Sequence, residues 1–187
     1  GYDLLAGYTG LVSFGHAMFF GLGAYAAAWT LLHIAPSLPL ALLMGMAAGA
    51  GAALLIGYFS IRARGIYFIL LTLAFAEFGF QAVFNGGSVT GGRNGLSSLP
   101  KASLDIPGIG VLDAYDPMPA YFMALLAFVV AYAVARRIVR SPFGSILVAV
   151  RDNEDRAAYL GYDVAAVKRR AFIMSATFAG FAGALWA

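Results

Sequence analysis

The sequence has no cysteine and only two histidines, and just 11% of its 187 residues are charged. Without cysteine, disulfides and thiolate chemistry are excluded, although the compartment is not thereby fixed. His16 stands alone, because His33 falls near the opposite membrane face; the pair makes no metal site, and no HExxH pattern is present. The shortage of charge excludes an ordinary soluble domain, which would carry roughly 25% charged residues. In its place are 61% hydrophobic residues and 23 glycines, with a mean hydropathy of +0.82. Glycine is commoner in membrane spans than in soluble helices, so this composition indicates a membrane protein. The chain opens on Gly1 and closes inside an apolar run at Ala187, which reads as a fragment of a longer protein, so no signal peptide is read.

A bilayer core about 30 Å thick needs about 20 apolar residues in a helix. Ala17 to Leu32, Leu38 to Phe59, Ile66 to Phe84 and Ala120 to Ala135 approach or meet that length, and Ala171 to Ala187 begins a fifth run. The stretch GYDLLAGYTGLVSFGH before Ala17 is interrupted at Gly7, Gly10 and Gly15. It is expected to form a discontinuous helix or hairpin, which membrane depth tolerates only under a cover of protein or in a water-filled cavity. The expected fold is therefore an all-α membrane protein: a polytopic transmembrane helix bundle, one domain over 1–187, with a glycine-broken N-terminal segment.

The twelve Lys and Arg are unevenly placed. Two, Arg62 and Arg64, lie in the short turn SIRARG, and eight lie between Arg136 and Arg170. Only Arg93 and Lys101 fall in the long Gly/Ser/Pro-rich connection from Asn85 to Pro119. The positive-inside rule puts 136–170 in the cytoplasm and 85–119 outside.

Within the basic segment, RDNEDRAAYLG (151–161) is an island in which five of the first six side chains are charged. Ser141-Pro142 reads as a helix start. Leu147, Val150, Glu154, Ala157 and Gly161 then recur at spacings of 3 or 4 and share one face of a helix. Asp152 and Arg156 are spaced for an i,i+4 ion pair. Gly161 ends the helix, and Asp163 caps the next. One reading is a solvated loop that follows the charge rule; the other is a small-residue knob that enters a groove on a soluble partner. Periodicity does not choose between them.

The motif does. Glu154, Ala157, Ala158 and Gly161 resemble the EAA loop of ABC importer permeases. The wider blocks GYTGLVSFGHAMFFGLGAYAAA, RARGIYFILLTLAFAEF, VTGGRNGLSSLP and RSPFGSILVAVRDNEDRAAYLGYDVAAVKRRAFIMSATFAGFAGAL resemble the LivM-type permeases of branched-chain amino acid transporters. The resemblance covers nearly the whole chain except the stretch around Lys101 to Pro119. Asp3 departs from it, since relatives more often carry Asn there. The resemblance implies a permease subunit of the bacterial cytoplasmic (inner) membrane, with 136–170 as its cytoplasmic EAA-type coupling loop and 151–161 as the coupling helix. It implies two cytoplasmic ATPase subunits, a paralogous permease subunit and an extracytoplasmic substrate-binding protein as partners, no bound cofactor and no nucleic acid. Branched-chain or other hydrophobic amino acids are the expected substrates; urea and short amides are the alternative.

Several residues invite a role in the substrate pathway. Glu77 is ionisable and mid-span, where the default hypothesis is functional; the structural alternative is a hydrogen bond to a facing helix. Tyr8, Thr9, Ser13 and His16 lie in the broken segment, where they line a site or satisfy local backbone groups. Gly45 and Gly49, with Gly180 and Gly183, permit close helix packing, most simply within the chain. The glycines of GGSVTGGRNG lack the Lys-Ser/Thr of a phosphate loop, so this chain is not expected to hydrolyse ATP. An ion-coupled secondary transporter or a channel is the competing class, and it has no need of a docking helix.

Overall fold

A computed structural model describes residues 1–63, 65–96, 103–106, 110–113 and 117–187, with backbone only at 88–89, 103–106 and 110–113. Arg64 and Lys101 lie outside the described residues. Helix α1 (Tyr2–Thr9) is followed by an irregular stretch and then α2 (His16–His33), α3 (Leu38–Ser60) and α4 (Ile66–Asn85). Beyond them come a one-turn helix α5 (Gly87–Thr90), a 3₁₀ turn (Gly92–Asn94) and a two-stranded antiparallel ribbon, β1 (Ser103–Ile106) with β2 (Gly110–Asp113). Helix α6 (Pro117–Val139), α7 (Pro142–Asp152), α8 (Glu154–Tyr159) and α9 (Val164–Trp186) complete the described chain. The ribbon is a small addition to an otherwise helical architecture, and it falls in the long connection between α4 and α6.

Among the described residues, three helices, α3, α4 and α6, are long and apolar enough to cross a membrane. The five long helices coincide with the five apolar runs of the sequence, with ends shifted by a few residues where polar or charged side chains extend a helix beyond its apolar stretch. Only α9 differs much at its start, because Val164 to Arg170 adds about two turns in which Lys168, Arg169 and Arg170 interrupt the apolar run.

The core is a trio of α2, α3 and α9. Lipid tails are as apolar as leucine, so helices in a bilayer associate by close packing and not by hydrophobic expulsion. Gly23 of α2, Gly45 and Gly49 of α3 and Gly180 of α9 meet backbone to backbone. A Cβ on Gly49 would stand 2.6 Å from the Ala176 carbonyl oxygen, and one on Gly183 would strike the Phe20 carbonyl. The small-residue pattern thus packs helices within the chain. Near the basic end of the bundle, Phe172 of α9 is fully buried and meets Phe19 and Phe68 edge to face, with ring centroids 5.4 and 5.9 Å apart. That geometry suits the aromatic quadrupole. The same apolar cluster continues into Leu147 and Val150 of α7 and Ala157 of α8. The segment between α6 and α9 is therefore rooted in the core and is not a free solvated loop.

Candidate functional site

The segment 141–163 does not form one helix. Asn153 adopts an extended conformation (φ −160°, ψ 102°) and separates α7 from α8. Its side-chain oxygen accepts a 2.8 Å hydrogen bond from the Arg156 amide, which makes it the N-cap of α8. Glu154 and Asp155 follow in the first turn, where the helix dipole favours them. The expected single helical face through Leu147, Glu154 and Gly161 is corrected accordingly. So is the expected pair of Asp152 with Arg156: the break moves Asp152 out of register, and it pairs with Arg151 at 3.0 Å. At the start of α7, Pro142 occupies the first turn as expected, but the Ser141 hydroxyl donates backward to the Ile138 carbonyl (2.6 Å) instead of capping. Asp163 does cap α9, accepting from the Ala166 amide at 2.9 Å.

The four motif residues divide into two pairs. Glu154 and Ala157 face the protein. Ala157 is buried in the core cluster, and Glu154 forms an ion pair with Lys168 of α9, itself only 3% exposed. A lysine buried that deeply requires a charge partner, and the Glu154 carboxylate supplies it. Ala158 and Gly161 face outward, with Tyr159 and Leu160 between them 91% and 72% exposed. Gly161 has φ +90°, the left-handed region that glycine enters without a Cβ penalty. The Tyr162 amide reaches back to the Ala157 carbonyl (3.2 Å), closing the helix end. The result is a blunt apolar tip, Ala158-Tyr159-Leu160, held on a charged and buried base.

Arg151 connects this base to the N-terminal segment. Its guanidinium donates to the Gly7 carbonyl at 2.8 Å, satisfying a carbonyl in the last turn of α1. Gly10, at φ 73°, ends α1, and a Cβ there would lie 2.9 Å from Arg151 Cγ. Neither Arg151 nor Lys168 is marked by the sequence motif; both are found only when distant segments are brought together.

The broken segment is a hairpin. Helix α1 runs toward Arg151, turns at Gly10, and returns to start α2 at His16. Thr9 and Ser13 are both 2% exposed. The Thr9 hydroxyl donates to the Leu4 carbonyl (3.0 Å), and the Ser13 oxygen accepts from the Gly15 amide (3.2 Å). Both satisfy local backbone groups. The Phe14 amide, near the bottom of the hairpin, donates to Thr72 Oγ1 of α4 at 3.3 Å. His16 Nε2 lies 2.7 Å from Ser175 Oγ, and that hydroxyl also donates to the Gly1 carbonyl at 2.9 Å. Tyr8 is half-buried against the core cluster. Asp3 lies on the exposed side of α1, its carboxylate over Gly7 one turn on.

Glu77 stands apart from the hairpin. It is exposed on α4, where its carboxylate accepts a 2.8 Å hydrogen bond from Gln81 Nε2. Asn85, a further turn along, donates to the Gln81 carbonyl (2.9 Å) and approaches its side-chain oxygen at 3.4 Å. The expected partner on a facing helix is corrected to one on the same helix, four residues on. Glu77, Gln81 and Asn85 form a polar ladder on one face. Beside it, between α2 and α4, is an apolar groove of about 220 Å³ lined by Met18, Gly21, Tyr25, Ala76, Gly79 and Phe80. Among the described residues, no three His, Cys, Asp or Glu side chains gather to hold a metal.

Over its whole length, residues 1–187, the chain matches the family described as "Branched-chain amino acid transport system / permease component". It is 34% identical, across all of its length, to the high-affinity branched-chain amino acid transport system permease protein LivM of Escherichia coli, and 35% identical to the LivM protein of Salmonella typhimurium. The match covers 48% of each relative, so the chain spans about half the length of the curated relatives it matches. No solved structure matches. A helical bundle with three apolar candidate spans among the described residues and a full-length family match gives one assignment: this chain belongs to the branched-chain amino acid transport system permease family.

Proposed function

We propose that this chain is the membrane-spanning part of a permease subunit in an ATP-driven importer for branched-chain or other hydrophobic amino acids. Its basic end faces the cytoplasm of a bacterial inner membrane, and the connection 85–119 faces out. It pairs with a paralogous permease, takes substrate from an extracytoplasmic binding protein and docks two ATPase subunits. The observation that carries the reading is the exposed tip Ala158-Tyr159-Leu160-Gly161 on a base fixed by Lys168–Glu154. A secondary transporter or channel has no use for an apolar tip presented to the cytoplasm on so rigid a mount.

The base also suggests how force is carried. A displacement of the tip by a closing ATPase pair is resisted at Lys168 and passed through Arg151 to the Gly7 carbonyl. The α1 hairpin then moves with the docked partner, as one packed element sliding on another. Thr9 and Ser13 serve this hairpin as backbone fasteners, while Tyr8 and His16 place it against the core. For the pathway itself the best candidate is the α4 face around Glu77. Glu77 lies eleven residues into α4, about 16 Å along its axis, close to the middle of a bilayer core. A carboxylate exposed there is too costly to face lipid, so it faces protein or a wetted passage. The adjoining groove is mostly apolar, with Tyr25 as its polar group, which favours an aliphatic amino acid over urea or a short amide.

The test is co-purification of the full-length permease with its ATPases, in wild type and in Leu160→Asp. Leu160 is a cleaner target than Gly161, where any side chain also strains the backbone. Retention of the ATPases by wild type and their loss from the variant supports the coupling role. Equal retention in a folded variant refutes it. Substrate uptake by Glu77→Gln in the same background then asks whether the α4 face serves transport.

A further inference from the structure

The cytoplasmic end of α6 carries a cavity that neither coupling nor transport uses. It is an open pocket of about 580 Å³ lined by Val129, Tyr132, Ala133, Arg136, Arg137 and Arg140, with Ser141 at its foot. Five of them lie on α6, at i, i+3, i+4, i+7 and i+8, and Arg140, the residue just past its end, continues them at i+11 as one stripe. The stripe changes character along its length: aliphatic and aromatic toward the membrane, three guanidiniums where the helix leaves it. Helix α6 buries no residue against the rest of the described chain, so the stripe faces outward. Three other cations of the basic end are engaged, Arg151 with Asp152, Lys168 with Glu154, and Arg62 over the Tyr58 ring, whereas Arg156, Arg169 and Arg170 meet no carboxylate among the described residues and lie apart from this stripe. Among the described residues, no carboxylate meets Arg136, Arg137 or Arg140.

Three unpaired guanidiniums within one and a half turns repel each other, and the carbonyl end of α6 alone compensates them only weakly. A phosphodiester resolves this, because guanidinium groups bind phosphate oxygens in paired, fork-like geometry. The position fixes the source of that phosphate: the arginines sit where lipid headgroups lie, and the apolar part of the stripe continues where acyl chains lie. We propose that this stripe is a binding site for an anionic phospholipid, with Arg136, Arg137 and Arg140 on the headgroup phosphate, Tyr132 at the glycerol level and Val129 and Ala133 against an acyl chain. The site depends on α6 spanning a bilayer and is independent of ATPase docking. Because α7 follows directly from Ser141, a lipid held here also steadies the α6–α7 corner at the root of the coupling segment.

The experiment is native mass spectrometry of the full-length permease in its assembled transporter, extracted into mild detergent with equal phosphatidylglycerol and phosphatidylcholine. Wild type is expected to retain phosphatidylglycerol selectively. The triple variant Arg136→Gln, Arg137→Gln, Arg140→Gln leaves seven of the ten Lys and Arg of the basic end, enough to keep the topology. Each arginine near a membrane surface contributes roughly fivefold to anion affinity, so the triple variant should lose bound phosphatidylglycerol by about a hundredfold. If the triple variant does not assemble, Arg140→Gln alone should show a roughly fivefold loss. Equal retention of both lipids by wild type, or unchanged retention in the variants, overturns the proposal. Two further results also overturn it: displacement of the lipid by millimolar inorganic phosphate, which marks a free-phosphate site, and crosslinking of an Ala133→Cys variant to another protein subunit, which marks a protein interface. Loss of ATPases in Leu160→Asp leaves these lipid readouts unchanged, so the two readings fail separately.

Discussion

Helices α6 and α9 have the same length, 23 residues, and opposite situations. Helix α6 is apolar enough to be a membrane span on composition alone, yet none of its residues is buried. Helix α9 carries Lys168, Arg169 and Arg170 in its second turn and falls outside that group, yet nine of its residues are buried, Lys168 among them. Hydropathy reports what lipid will tolerate. Packing is reported by something else, the placement of glycine and alanine where two backbones must approach. A helix that looks like a span is thus the one held least by this chain, and one that does not is its axis.

The sharpest way to break the contrast is at Gly180. In Gly180→Leu the new side chain meets the backbone of α3 at Gly45 and Gly49, which cannot yield as a side chain would. We expect a loss of about 3 kcal/mol or more, enough to prevent recovery of a folded complex by size-exclusion chromatography. A monodisperse variant with a wild-type melting midpoint would mean that the trio is not closed.

Next in size is Lys168→Met, which leaves Glu154 half-buried without its partner. The expected cost is about 2 kcal/mol, below the range for fully buried pairs because Glu154 is partly solvated. Adding Glu154→Gln should recover more than half of it in thermal melts, and no recovery would show that the two residues act independently. Asn153→Ala removes the cap of α8 and is expected to cost about 1 kcal/mol, seen as faster amide exchange in 154–159 and not elsewhere. At the quiet end, Leu126→Ala on α6 removes a large side chain that is 65% exposed. A change of less than about 0.5 kcal/mol is expected, and a larger one would show that α6 is gripped by a surface this chain does not contain.

The helical spans were legible because apolar length is a local property. The hairpin before α2 was legible for the same reason, since Gly10 and Gly15 stand at its helix ends; the expected break at Gly7 is corrected, because α1 runs through it. The break at Asn153 was present but masked. The 3–4 spacing of apolar residues continues across it, and an asparagine among charges does not stand out. The Asn-Glu-Asp order, a cap followed by an acidic first turn, is the signal that finds it. Nothing local reveals that Ala157 turns inward while Ala158 turns outward, or that Glu154 is claimed by Lys168. Those assignments depend on where α9 lies, and so does the contact of Arg151 with Gly7, 144 positions earlier.

The order of synthesis gives the central trio a further consequence. Helices α2 and α3 follow one another and lie side by side, but the third member does not emerge until Val164, after α4, the long connection 86–116, α6, α7 and α8. Until then the glycine-lined seam of α2 and α3 stands open in the membrane, unable to finish packing. Helix α9 carries contacts on which α2 and α3 depend, so a nascent chain stopped short of it should hold them as a loose pair available to membrane quality control. Closure of the trio would then be a single event set by the arrival of α9.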